Sequence, residues 1–392
     1  MLPILKHNLT NWVDGMKINR SHFVDSENAL LDLIRDHAGI HNKQFSYGLL
    51  IPVQGEKSSL DCNVQNNQTG GLVKFSVRLC RGITLGGHRI EIIPGIHEPV
   101  TCEELEIDRS FQEHLAIITV DHINRIPHGM GIEDEYPPRN PHAVSSYRVS
   151  VVPLETLNSG QLGMNHLAIA KFVYSGGELI KDNNYVPPCT TLLAHPGARI
   201  IGNQIGEYFS SIQNSSIEVI QKAVNQATQT DLSHNVERLC RDVLSLISAN
   251  SFSFKTIYTQ MPPVYIAEMG YKIVSLISVH VNCLSAAQKD DILNYFSHWS
   301  DLTPGKFQDL IAGVSNSDFE HEDIQPFFSQ LMDFFGVWLK LLDDIKNTKM
   351  IGEKRGGSII GGNRLGHNSA NAIPGNFNPP PAAPSKKRSF FD

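Results

Sequence analysis

Of the seventeen histidines in this 392-residue chain, His122, His128 and His142 lie in or beside a Pro-rich stretch that also holds the acidic run Glu133-Asp134-Glu135. Imidazoles beside carboxylates are the raw material of a metal site. Zinc sites built by one loop use tight, paired ligand spacing, and these three histidines are widely separated in a Pro-rich stretch, so the spacing predicts surface histidines in a polar loop spanning 124–145. The acidic run reads as a solvated face. Nucleophile and phosphate chemistry leave no mark: there is no G-x-S-x-G, no Walker loop and no H-E-x-x-H. Gly356-Gly357-Ser358-Ile359-Ile360-Gly361-Gly362 has the composition of a phosphate cradle, but follows no strand and opens no helix, so it reads as linker. Trp338 and neighbouring phenylalanines could line a ligand pocket, yet their heptad spacing predicts core. The residues therefore predict no catalytic, cofactor or metal site.

The totals point the same way. A formal charge of −7 disfavours a general nucleic-acid binder, which is usually basic. Hydrophobic content of 41% supports real cores, and the length allows two or three domains. No uninterrupted apolar run reaches the eighteen or so residues of a membrane span, and the N-terminus has no signal-peptide pattern. Cys62, Cys80, Cys102, Cys189, Cys240 and Cys283 are scattered, with no C-x-x-C pair, and read as reduced core residues of a cytosolic protein.

Near residue 200 the apolar period changes from two to seven. Before it, short apolar runs alternate with Gly, Pro and Asn. Strands are predicted at 48–51, 72–79, 89–93, 115–120, 147–152 and 167–173, with Gly86-Gly87 and Gly176-Gly177 as turns. Short connections without long intervening helices favour an antiparallel β-sandwich. After residue 200, helices are predicted at about 200–229, from 231 to near 247, from Pro262-Pro263 to about 283, and at 322–347, with shorter ones between 285 and 315. In the last long helix Ile324, Phe328, Leu331, Phe335, Trp338, Leu342 and Ile345 keep a 4-3-4-3-4-3 rhythm, one apolar seam that must bury against other helices. We take this seam to set the bundle and the oligomer. The fold class is thus α+β multidomain: an N-terminal docking segment (1–45, with Ala29, Leu30, Leu33 and Ile34 on one helical face), a β-sandwich shoulder (46–198), a helical-bundle neck (199–350) and a Gly/Pro-rich flexible tail (351–392). The tail ends in Lys386, Lys387, Arg388, Phe390 and Phe391, a basic-aromatic peptide suited to an acidic groove.

Two stretches resemble a known family. Trp12-Val13-Asp14-Gly15-Met16 followed by His22-Phe23 is similar to the W-x-[ED]-G-M-x(5)-HF opening of the TssK family, the baseplate adaptors of bacterial type VI secretion systems. Ile169-Ala170-Lys171-Phe172, Gly176-Gly177, Asp182 and Tyr185-Val186-Pro187-Pro188 resemble that family's passage out of its first domain. The match covers about 10–200 at motif level and 200–347 as helical architecture. The resemblance implies a non-enzymatic homotrimer whose shoulder docks to a wedge of TssF and TssG proteins. It also implies a C-terminal link to the membrane complex, at the inner face of the cytoplasmic membrane, with no nucleic acid and no membrane insertion. By that resemblance Trp12, Asp14, Gly15, Met16, His22 and Phe23 are the wedge-binding candidates. The family's globular head would need about a hundred residues after the neck, where this chain has about forty, which leaves the tail or another protein to make the membrane link. The rival expectation is a β-sandwich glycan-binding protein or carbohydrate-active enzyme. Against it, Trp12 is the sole tryptophan before the helices and the acidic clusters have no particular spacing. A phage-type receptor-binding protein lies between the two.

Overall fold

In the computed structural model the described residues are 4–66, 72–157, 162–300 and 302–353. The tail residues Lys386, Lys387, Arg388, Phe390 and Phe391 lie outside them.

The first half forms two antiparallel sheets. In one, β3 (Leu72–Ile83) is the centre: β1 (Gly48–Leu49), β2 (Leu60–Asn66), β4 (Arg89–Ile92) and β5 (Val100–Glu106) all pair with it. The other runs in the order β7 (His142–Pro153), β6 (Glu113–His128), β8 (His166–Ser175), β9 (Glu178–Lys181). The sheets meet through their inward faces, where the rings of Phe75 on β3 and Phe172 on β8 cross edge to face at 5.6 Å. This is a β-sandwich, as the period-two runs predict. The sequence reading missed β2, β5 and β9, although Leu60, Cys62 and Val64 alternate with polar residues along β2.

The predicted loop 124–145 is half strand. β6 runs on to His128, and the pairs Ile126–Val144, Pro127–Ala143 and His128–His142 continue the hairpin beyond an irregularity after Asp121. Pro127 is tolerated because β8 pairs β6 only as far as Thr119, so the far edge asks for no N–H there.

Helix α1 (Arg20–His41) precedes the strands. The distal half is a bundle of α2 (Pro196–Asn225), α3 (Asp231–Phe252), α4 (Val264–Cys283), α5 (Ala286–Trp299), α6 (Pro304–Asn316) and α7 (Gln325–Asn347). Thr230, Ser285 and Thr303 cap α3, α5 and α6 with their side chains. By length and composition α4 could cross a membrane, with a mean hydropathy of 1.3 over its best window. Its Ile266, Met269, Ile273, Val274, Ile277 and Val281 are buried in the bundle, so it packs as a core helix. One apolar core runs from the sandwich through the bundle.

Candidate docking surface

Residues 4–41 form a strap of chain plus helix on the sandwich, and three sets of contacts place it. Asn19 opens α1: its Oδ1 accepts from the N–H of Ser21 (3.0 Å) and of His22 (3.4 Å), while His22 Nδ1 accepts from the Asn19 N–H at 3.3 Å. Thr10 Oγ1 donates to the His22 carbonyl at 2.8 Å and accepts from Ser26 Oγ at 2.9 Å, tying the leading chain to the helix. Further along, Asp32 accepts from the backbone N–H of Lys6 (3.2 Å) and His7 (3.1 Å) and pairs with Arg35 and the His7 ring. On the sandwich side, Arg125 of β6 donates to Glu27 at 2.7 Å and to Asn28 Oδ1 at 2.8 Å.

These contacts turn α1 inside out. Its buried residues are Asn28, Ala29 and Asp32, two of them polar. Phe23, Leu30, Leu33, Ile34 and Ile40 are exposed. Of the apolar face predicted in sequence, only Ala29 points inward. A surface helix of a self-sufficient domain does the opposite, burying its apolar stripe. The polar underside faces a cavity of about 300 Å³ that includes His7, Asp32, Arg35, His88 and His122. The rings of His88 and His122 stack there at 4.1 Å. Burial brings both imidazoles down to about 4, helped at His88 by His122 and at both by the Arg35 charge. They are therefore neutral near pH 7. His122, predicted as a surface loop residue, is a half-buried strand residue beneath the strap.

The family-motif residues collect on this strap. Trp12 is half exposed, with its ring 6.0 Å from His22 and 5.9 Å from Phe23. Asp14 and Gly15 sit exposed in a turn closed by the Met16 N–H on the Val13 carbonyl at 3.3 Å. Gly15 takes φ +77° there, a conformation that favours glycine. Met16 and His22 are half-buried. Ile4, Leu5, Leu9, Val13 and Ile18 add further exposed apolar area beside Trp12 and Phe23.

The seam behaves differently. Ile324, Phe328, Leu331, Phe335, Trp338, Leu342 and Ile345 are each at most 1% exposed within one chain. Trp338 packs against Phe296 of α5 (5.8 Å) and Phe307 of α6 (6.2 Å), and Phe335 against Phe209 of α2 (5.6 Å). Their partners are helices of the same chain. This corrects the expectation that the seam gathers copies, because a second copy has no access to it. Periodicity reports that a face is buried, not against what.

Two features escaped the sequence reading. One is the junction between sandwich and bundle. Tyr47 Oη donates to Glu322 Oε1 at 2.9 Å, His321 Nε2 lies 2.7 Å from the Tyr47 carbonyl, and Lys171 pairs with Asp323 at 3.3 Å. Burial lowers His321 to about 4, so its neutral ring acts as donor. The signal was the Glu320-His321-Glu322-Asp323 run between two helices, which reads as solvated charge. The other is a groove of about 690 Å³ between α2 and the end of α3, lined by Leu193, Phe209, Phe254 and Met269 among others; Ile200, Phe252 and Ile257 are exposed elsewhere on the bundle. Among the described residues no group of three or more His, Cys, Asp or Glu side chains could hold a metal. Cys62, Cys80, Cys189 and Cys240 are buried as expected, Cys102 is half-buried and Cys283 exposed.

The described residues thus form a two-sheet sandwich that carries an outward-facing apolar strap and joins a helical bundle. No family model matches the sequence, and no curated protein does. Solved structures do. A crystal structure of TssK superposes with TM-score 0.52 at 16% identity, over 85% of this chain and 72% of that one. TssK from EAEC bound to a nanobody aligns over 82% of this chain and 69% of that one, at 12% identity and TM-score 0.49. TssK in a TssK-TssF-TssG baseplate subcomplex aligns over 86% of this chain and all of its own, at 12% identity and TM-score 0.48. The fold of this chain is TssK-like.

Proposed function

We propose that this chain is a non-enzymatic adaptor of a type VI secretion baseplate, and that the strap carrying Trp12, Asp14, Gly15, Met16, His22 and Phe23 docks it to a wedge of TssF- and TssG-like proteins. The observation that carries this reading is the inverted helix α1, whose apolar residues face solvent while its polar ones face the sandwich. The TssK-like fold and the Trp12–Phe23 motif support the same partner. Trp12 and Phe23 are the anchors on this account, since large aromatic rings dominate interface energetics.

The adaptor is a homotrimer in this proposal. With the α7 seam buried inside the chain, copies meet through the bundle's exposed apolar residues Leu193, Ile200, Phe252 and Ile257, Leu193 lying in the α2–α3 groove. Three straps and three tails at fixed geometry turn weak single contacts into firm attachment. The tail residues Lys386, Lys387, Arg388, Phe390 and Phe391 make the link toward the membrane complex, at the inner face of the cytoplasmic membrane. The domain division at 45, 198 and 350 belongs to the same proposal: the strap carries the wedge contact, the neck the contact between copies and the tail the membrane-side link, with the shoulder holding the strap.

The test is co-purification of the full chain with its wedge proteins. The wild-type chain is expected to hold them, Leu33→Asp with Ile34→Asp to release them, and a chain truncated after Met350 to keep the wedge while losing membrane-side partners. Wedge binding that is unaffected by the strap variant would overturn the assignment.

A further inference from the structure

Between α6 and α7 lies an open groove of about 540 Å³ that none of the described residues fills. Its wall carries Leu302 and Leu310, and it widens at Gly313, where a Cβ would meet only the end of Gln330. Asp309 on α6 and Asp333 on α7 flank it, with Lys306 the one cation in the lining. An apolar trough between carboxylates suits a peptide that brings aromatic rings and positive charge together.

We infer that the occupant is the chain's own C-terminal segment Lys386-Lys387-Arg388-Ser389-Phe390-Phe391, parked in cis in the free protein. Phe390 and Phe391 enter the trough, while Lys386, Lys387 and Arg388 lie over Asp309 and Asp333. Three observations carry this. The chemistry is complementary in both parts, apolar and charged. The described chain stops beside the groove: Trp299 Nε1 donates to the carbonyl of Glu353 at 3.1 Å, and Leu302 on the groove wall is three residues from Trp299, so within about 11 Å of it. Roughly thirty residues separate Glu353 from Lys386, and at about 3.3 Å per residue that contour length is ample for the segment to return to the groove. Its effective concentration there is then on the order of millimolar, so a weak peptide contact suffices.

This goes beyond the tail's proposed role toward the membrane complex and rests partly on it. A parked tail cannot engage a second partner until it leaves, so the groove would hold the free adaptor silent on its membrane side.

The test uses the full chain with a photo-reactive benzoylphenylalanine at position 391, mixed as unlabelled and 15N-labelled populations. Cross-links to peptides of 302–316 and 330–333 are expected, within one isotope population, and weakened at high salt. Asp309→Lys with Asp333→Lys, both exposed and so harmless to folding, should cut the yield at least about fivefold. Mixed-isotope cross-links would overturn the cis assignment in favour of a second copy, and cross-links spread over other surfaces would overturn the groove. Wedge capture measured on the same samples reads the strap alone, so loss of one account leaves the other standing.

Discussion

At the residue scale, Asp32 holds the strap. It takes two backbone N–H groups and the His7 ring of the leading chain while nearly buried. Asp32→Ala removes these contacts and leaves Arg35 without its partner, at a cost of about 1–3 kcal/mol. Hydrogen exchange should show residues 4–13 losing protection while strands β3 and β6 keep theirs. Four imidazoles set a pH dependence. His88, His122, His195 and His321 are brought to about 4 by burial, below the free value of about 6.5. Between those values the unfolded chain binds more protons than the folded one, so stability is full above about pH 6.5 and falls as pH drops toward 4. Thermal unfolding should therefore show a midpoint that declines steadily from pH 7 to pH 5, and His88→Asn with His122→Asn should flatten part of that decline.

At the element scale, α7 and α1 are opposite cases. Trp338 is buried among rings of α5 and α6, so Trp338→Ala should cost about 3–5 kcal/mol, read by chemical denaturation. Phe23→Asp on α1 replaces an exposed ring and should change stability by no more than about 0.5 kcal/mol while weakening wedge binding. The two helices also mark what sequence could and could not tell. The start of α6 was legible through Thr303 before Pro304, and the α7 seam through its rhythm. Who covers that seam was not, because the same spacing serves a bundle within one chain and a coil between chains. The inversion of α1 was hidden because its buried partners are polar, and no hydrophobic pattern records a buried Asp32 or a neutral histidine stack. Likewise β6 runs through Pro127 only because its outer edge is unpaired there, a fact of topology. Trp12, Gly15 and Phe23 were found by motif, and their place on one strap came from the fold.

At the scale of the whole molecule, the adaptor role proposed here needs a firm hold between sandwich and bundle. The junction supplies it through Tyr47, Lys171, His321, Glu322 and Asp323 and through β1, where the Leu49 N–H meets the Pro188 carbonyl at 2.7 Å. Gly48 is required there: it takes φ +123°, and a Cβ would fall 2.1 Å from the Pro188 carbonyl oxygen. Gly48→Ala should loosen the junction, seen as broader interdomain distances in small-angle scattering. Light scattering on the full chain should give three times 43.5 kDa, and Ile200→Glu with Phe252→Glu should reduce it to one. The most direct measurement of the account is the affinity of the full chain for the purified TssF–TssG wedge, wild type against Phe23→Asp with Leu33→Asp. The expected result is a saturable complex that the double variant, folded and of unchanged mass, binds at least about tenfold more weakly, a loss of about 1.4 kcal/mol. Absence of any complex, or equal binding by the variant, would contradict the proposal that the inverted helix is the docking face.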